Sequence, residues 1–274
     1  MKTDWIGHCL KLSSEEADLY SGCRKIVRNR TLSFSLDEPN VLLKDAGYTQ
    51  YKMTLLLKLY KNQESIDVAK QLWEKRKKQG KYGSVGFHCY NHLIKGAKTG
   101  TIEGKSGRAS VMGPCIQSVV ITLLDKKNAE IDIFYRTTEL FKKFPADLVM
   151  IKDHLLSEFD FDGINVGMVN IHFANLTLHP MYFVTLLPNI PDPIKELDKI
   201  KAADRHYYDW IIKWTARYLI PKYHRGIAKF AQAQRVKKDA LSRFKASELK
   251  AFQKYLEDNH PGYRNDYEED DAED

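Results

Sequence analysis

The sequence predicts an α/β chain of the α+β kind, with a β-sheet in its middle third, helices packed on it and an extra helical segment at the C-terminus. Three observations predict this. The apolar, β-branched CIQSVVITLL, a DKKNA turn and the alternating EIDIFYRT, together residues 115–137, read as an antiparallel hairpin. Residues 49–79 and the C-terminal third carry apolar residues at helical spacing. A chain of 274 residues that is 43% hydrophobic can bury a large core without help from disulfides or metals.

Taken in order, the stretch TQYKMTLLLKLYKNQESIDVAKQLWEKRKKQ shows two helical blocks, a helix or a helical pair. The glycine-rich stretch 80–114 has little periodicity and predicts loop with short strands, the kind of segment that often carries function. After the hairpin, Pro145 precedes DLVMIKDHLLSEF, which has helical periodicity, and INVGMVNIHFANLTLHP returns to strand. From residue 191 the chain reads as helix, punctuated by Pro188, Pro191, Pro193, Pro221 and Pro261. No internal repeat interrupts this order.

Composition limits the function classes. Cys9, Cys23, Cys89 and Cys115 form no CxxC pair, so neither a disulfide framework nor a zinc site is expected, and no metal is assigned. Reduced thiols in a cytoplasmic protein are the simplest reading. The N-terminus has no long apolar run and no window approaches a membrane span, so no membrane partner is expected. The formal charge is +7, but the last nine residues, DYEEDDAED, hold seven acids, and the rest of the chain carries +14. Such a surplus suits a phosphate-bearing ligand or simply a well-solvated surface. Lys229, Arg235, Lys237, Lys238, Arg243, Lys245, Lys250 and Lys254 give the last helix a basic face, which is either solvated or a contact for nucleic acid.

The hairpin brings Cys115 and the YRTTE segment to the same end of the sheet. A cysteine is a nucleophile only as thiolate, and a neighbouring guanidinium both favours the thiolate and holds an anionic substrate beside it. Arg136 on the paired strand is placed to do both. The alternative is that Cys115 is a small buried hydrophobe.

These residues resemble a family. GPC before an apolar strand, a turn, YRTTELFKKFPAD and the later VNIHFAN are similar in order and spacing to the thymidylate synthase and deoxycytidylate (pyrimidine) hydroxymethylase family, and the chain looks like a divergent, phage-type member. The resemblance covers Gly113 to Asn175 and extends more weakly to WEKRKKQGKYG upstream. It implies a thymidylate-synthase-like mixed sheet packed with helices over residues 1–221, beyond which the residues themselves read as a basic helical extension over 222–265 and an acidic disordered tail over 266–274, unlike the family's short closing segment. It also implies a homodimer through the sheet face and, for a phage protein, the host cytoplasm.

The same resemblance implies roles. Cys115 would add to C6 of a pyrimidine deoxynucleoside monophosphate, whose C5 then takes a one-carbon unit from 5,10-methylenetetrahydrofolate. Arg136 and Thr137 would grip the 5′-phosphate, with Tyr82 also on the substrate side. His172 would order the polar network around the base, and Glu139 and Trp73 would meet the folate. Asp147 stands where the family's thymidylate synthases have Asn and its deoxycytidylate hydroxymethylases have Asp, which favours dCMP over dUMP and a hydroxymethyl over a methyl product. Alternatively Asp147 caps a helix beginning near Leu148.

The chain departs from the family pattern at Thr54, which takes the place of a general-base glutamate, and at Ala174, which replaces a tyrosine. It also lacks the paired arginines of the partner-subunit phosphate site, for which Lys95, Arg108, Arg28 and Arg30 are the candidate replacements, with nothing in the sequence to choose among them. Two further readings follow. One is a catalytically inactive member that binds a nucleotide or serves as a partner subunit. The other is an unrelated nucleic-acid-binding protein working through the basic helix, with steeply salt-dependent binding.

Overall fold

The structure, a computed structural model, describes residues 5–34, 61–89, 102–103, 109–110, 115–141, 143–184, 186–187, 190–220 and 245–260. Thr54, Lys95, Arg108, the dipeptide before Cys115, the basic residues 229–243 and the acidic tail lie outside the described residues. Among the described residues no helix is long and apolar enough to cross a membrane.

A six-stranded sheet organises the chain, in the order β1 (Leu19–Ser21), β2 (Arg24–Phe34), β8 (Asn165–Leu178), β7 (Asn128–Glu139), β6 (Ile116–Leu123), β3 (Gly83–His88). Two short strands, β4 (Ile102–Glu103) and β5 (Ala109–Ser110), pair separately. The expected hairpin is present: β6 and β7 pair antiparallel from Leu123↔Ala129 to Ile116↔Tyr135, with an irregularity between Ile116 and Ser118. Its turn is built by Asp125, whose carboxylate accepts from the amides of Lys127 at 2.7 Å and Asn128 at 2.9 Å.

Side-chain pairs give the direction of the inner strands. Asn170 and His172 of β8 reach Glu130 and Asp132 of β7, advancing in the same sense, so these strands run parallel. Ser33 and Thr31 of β2 reach Asn170 and His172 in opposite senses, so β2 is antiparallel to β8. A parallel pair needs a long crossover, and the helical stretch between β7 and β8 supplies it. The sheet is therefore mixed.

That crossover corrects one boundary. The helix expected after Pro145 begins earlier, as α3 (Lys143–Met150), and continues through a wide turn over Ile151–Leu155 and a tight one over Leu156–Glu158. Pro145 is its third residue, where a missing amide costs no hydrogen bond. Asp147 thus lies inside the helix and does not cap it.

The chain gathers into two compact units that interleave along the sequence. One comprises Met1–Thr3, Arg28–Thr138 and Lys142–Leu176; the other comprises Asp4–Val27, Glu139–Phe141 and Thr177–Asp274. In the first, alternate residues of the central strands (Val119, Ile121, Ile131, Ile133, Tyr135, Ile171 and Phe173) are buried on one sheet face. Phe144 of α3 packs against Tyr135 and Phe173 there. Helix α2 (Gln63–Gln79) packs on β3 through Ile66, Ala69 and Trp73. Asn62 caps its start by accepting from the Ser65 amide, three basic residues occupy its last turn, and Gly80 at φ 59° ends it.

The second unit is helical: α1 (Trp5–Ser13), α4 (Pro180–Phe183), α5 (Pro193–Ala203), α6 (Arg205–Leu219) and α7 (Ala246–Asn259) accompany β1. Asp192 and Asp204 cap α5 and α6, accepting from the Lys195 and Tyr207 amides. Phe252 and Leu256 of α7 are buried, and Tyr255 donates to Asp198 of α5 at 2.7 Å. Lys245, Lys250 and Lys254, the described part of the expected basic face, are exposed.

Candidate active site on the sheet of the first unit

Strand alternation sorts β7 into two sides. Ala129, Ile131, Ile133 and Tyr135 are buried, while Glu130, Asp132, Phe134 and Arg136 line the opposite, more open face. Cys115 faces Arg136 across the hairpin: the Arg136 amide donates to the Cys115 carbonyl at 2.8 Å, next to the paired Ile116 and Tyr135. Directly opposed residues of an antiparallel pair project to the same side, with Cβ atoms about 5 Å apart. Cys115, half-buried, and Arg136, exposed, therefore share the open face at the end of the hairpin. Thr137, the next residue, projects by the same alternation to the Tyr135 side, opposite Arg136, and is half-buried.

Asp147 joins this end of the sheet through Thr138, whose hydroxyl donates to Oδ2 at 3.1 Å. Thr138 is two residues beyond Arg136, roughly 7 Å along the strand, where the alternation of buried and open positions ends and the chain is buried. Both partners are buried. Burial pushes the Asp147 carboxyl up to about 7, against the opposing pull of the Thr138 hydroxyl and the Lys143 charge. A group poised there exchanges its proton near neutral pH.

This carries a stability prediction. The folded carboxyl holds its proton up to about pH 7, the unfolded one only to about 3.8. Between those values the native state binds the extra proton, so stability falls as pH rises through the window and levels off above it. Full expression of the shift is worth on the order of 4 kcal/mol. Asp147→Asn keeps an acceptor for Thr138 and carries no charge, so urea unfolding of the variant is expected to lose most of that decline. A variant with the native slope between pH 4 and 7 would refute the assignment.

His172 lies on the same open face but within a different set of contacts. Its Nε2 meets Asp132 Oδ1 at 2.8 Å, its Nδ1 meets the Thr31 hydroxyl at 3.0 Å, and Phe134 stacks on the ring at 4.9 Å between centroids. Asp132 fixes the proton on Nε2, leaving Nδ1 to accept from Thr31. That is the tautomer of a hydroxyl-activating relay. The amides of these paired inner strands are taken up by the sheet, however, and an acyl-transfer relay needs such donors for its oxyanion. Its structural effect is to tie β2, β8 and β7 together. The network expected around His172 exists, formed with Thr31 and Asp132, which the sequence reading did not include.

The remaining expected residues are dispersed. Trp73 is 1% exposed, packs on Phe161 and donates its indole N–H to the Asp160 carbonyl at 2.8 Å, so the fold itself encloses the ring. Tyr82 is 70% exposed just before β3. Glu139, at the end of β7 and in the second unit, is buried; its Oε1 accepts from the amides of Phe141 at 3.2 Å and His179 at 3.3 Å. Neither Trp73 nor Glu139 has the disposition expected of a folate contact. Among the described residues, the two expected to meet that group do not fit it.

A second polar cluster, absent from the sequence reading, lies in the other unit. Lys25 is fully buried and donates to the carbonyls of Ser13, at 3.0 Å, and Glu15; its Nζ is 3.1 Å from Asp204 Oδ2. Burial pulls the Lys25 ammonium below the usual lysine range, against the Asp204 hydrogen bond and charge. Burial pushes Asp204 up, but donors from Tyr20, the Tyr207 amide and Lys25, together with the Lys25 charge, outweigh it and hold the carboxyl below its usual value. Every donor of this cluster is directed at the fold, so we assign it to stability.

The chain matches no protein-family model, and a search of curated proteins returns no match. The four cysteines are thiols, and no group of three or more potential metal ligands exists among the described residues.

Proposed function

We propose that the protein activates C5 of a pyrimidine deoxynucleotide, dCMP in preference to dUMP, for one-carbon transfer, with Cys115 as the nucleophile at C6. One observation carries the reading: the Arg136 amide bonds the Cys115 carbonyl at 2.8 Å, which puts residues 115 and 136 opposite each other on one sheet face, with Thr138 two residues further along the strand and bonded to Asp147 of α3. Thiolate, anion clamp and a carboxyl of adjustable protonation are the three groups that addition to a nucleotide pyrimidine requires.

The step begins with the Cys115 sulfur forming a bond to C6. The C5–C6 π electrons move to C5 and the ring, and Asp147 meets the base edge that changes charge. C5 then takes an electrophile, a proton from water in the exchange reaction or the one-carbon unit in the transfer. Loss of the hydrogen C5 first carried, as a proton, and expulsion of the thiolate restore the ring, so a tritium at C5 is released to water. Arg136 holds the 5′-phosphate. A second copy of the chain is the expected partner in solution, and the overall basic charge favours the anionic substrate.

The disposition of Trp73 and Glu139 favours a second reading, in which the protein binds the nucleotide without folate or without turnover. Tritium release from 5-tritiated dCMP and dUMP, each with and without methylenetetrahydrofolate, separates the two. Release from dCMP above that from dUMP is the expected result. No release from either, with nucleotide binding retained, makes it a binding protein.

A further inference from the structure

We infer that Thr138 is a specificity-determining positioning residue: its hydroxyl fixes which oxygen of Asp147 accepts and which carries the exchangeable proton, and thereby the edge of the base that the site takes. The inference rests on the nucleotide reading above and goes beyond it by assigning Thr138, which has no substrate contact in that reading.

The geometry is specific. Thr138 Oγ1 has one proton, and it donates that proton to Asp147 Oδ2 at 3.1 Å inside the fold. Oδ2 is thereby marked as the acceptor oxygen, and Oδ1 is left to hold a proton when the carboxyl is neutral. Strand and helix hold the pair rigidly: Thr138 is near the end of β7, and Asp147 is in the interior of α3, so neither side chain is on a loop. Lys143, one turn earlier on the same helix, is the charged group acting on Asp147; β7 contributes the neutral Thr138.

The two bases differ at the edge such a carboxyl meets. Cytosine offers an acceptor at N3 beside a donating amine, and uracil offers a donor at N3 beside an acceptor at O4. A carboxyl with a fixed acceptor and a fixed proton presents a set order of acceptor and donor, so it favours one of these edges over the other. Without the Thr138 hydroxyl, either oxygen carries the proton and the order is lost. A site built to pair a particular polar edge discriminates strongly against its inverse because the mismatched groups stay unpaired.

The test compares the native protein with Thr138→Val and Thr138→Ser. Calorimetric binding of dCMP and of dUMP is measured for each, beside the ¹³C-carboxyl NMR titration of Asp147. Thr138→Val is expected to raise the titration midpoint of Asp147, since the lost hydrogen bond favours the ionised form. It is also expected to shrink the ratio of dCMP to dUMP affinity by about tenfold, the worth of one hydrogen bond to an ionisable group. Thr138→Ser, which keeps the hydroxyl, should behave as the native chain in both.

A Val variant with native selectivity overturns the inference even where its titration has moved, because the hydrogen bond then does not set the edge. An unmoved titration overturns it at the geometry. Tritium release is scored separately: its absence removes the transfer reading, while selective binding that depends on Thr138 still stands. A native chain that binds neither nucleotide overturns both.

Discussion

Cys115→Ala is expected to abolish tritium release from 5-tritiated dCMP, a loss of at least about 10³-fold, comparable to removing a nucleophile in enzymes that form a covalent intermediate. No other described thiol substitutes for it. Cys9, Cys23 and Cys89 are buried at 0–5% exposure, and burial pushes the Cys89 thiol up to about 12, away from thiolate. Cys115 is half-buried, and Arg136 is the residue opposite it across the hairpin. The fold should survive the change, because the backbone bond between residues 136 and 115 uses the carbonyl and not the sulfur. Nucleotide binding is therefore retained in the variant, as measured by calorimetry. Full tritium release from Cys115→Ala would remove the cysteine from the chemistry altogether.

Asp204→Ala is expected to cost roughly 3–5 kcal/mol of stability, the usual result of stripping the partner from a buried charge. Three losses coincide at this residue. The Lys25 ammonium, in a 0% exposed side chain, loses its counter-charge. The Tyr20 hydroxyl loses its acceptor. Helix α6 loses its cap at the Tyr207 amide, worth about 1 kcal/mol by itself. Adding Lys25→Met to the Ala variant should restore part of the loss, since an apolar chain of similar length suits the site better than an orphaned ammonium. Urea unfolding measures both variants. A cost below about 1 kcal/mol for Asp204→Ala, or no recovery in the double variant, would show the pair to be dispensable. Because Asp204 is ionised in the native state, its contribution is present above the unfolded carboxylate pKa and is lost as pH falls through the depressed folded value.

Much of the hairpin's role was legible in the letters. The alternation of EIDIF already places Glu130 and Asp132 on the side opposite Ile131 and Ile133, and the turn at Asp125 fixes the register from Leu123↔Ala129 to Ser118↔Phe134. Continued unbroken, that register would set residue 137 against residue 115; the irregularity between Ile116 and Ser118 brings residue 136 there instead. Strand β8 and the C-terminal helices were equally readable from period and proline punctuation. Strand β2 was not. Its buried residues are Lys25 and Val27 before Asn29, then Leu32 and Phe34 after it, so the parity of the pattern changes within the strand. Asn29 sits at φ 49°, where the backbone turns out of regular extension, and no period-two reading survives that change. A buried lysine as the second residue further disguises it.

The sequence by itself determined the alternation of elements, the hairpin that brings Cys115 and the YRTTE segment to one end of the sheet, and the excess of positive charge, because each follows from local spacing or simple counting. Only the tertiary structure decided what surrounds those residues. The parallel neighbour of β7 is strand β8, supplied by residues some 40 positions away along the chain, as Asn170 against Glu130 and His172 against Asp132 show. It also decided that Asp147 belongs to Thr138 and is held near neutrality by burial, that Trp73 is enclosed by the core, and that Lys25 answers to Asp204 across |i−j| far beyond any local period. Burial and long-range pairing depend on which distant segments exclude water from a side chain, and no short pattern in the sequence encodes that.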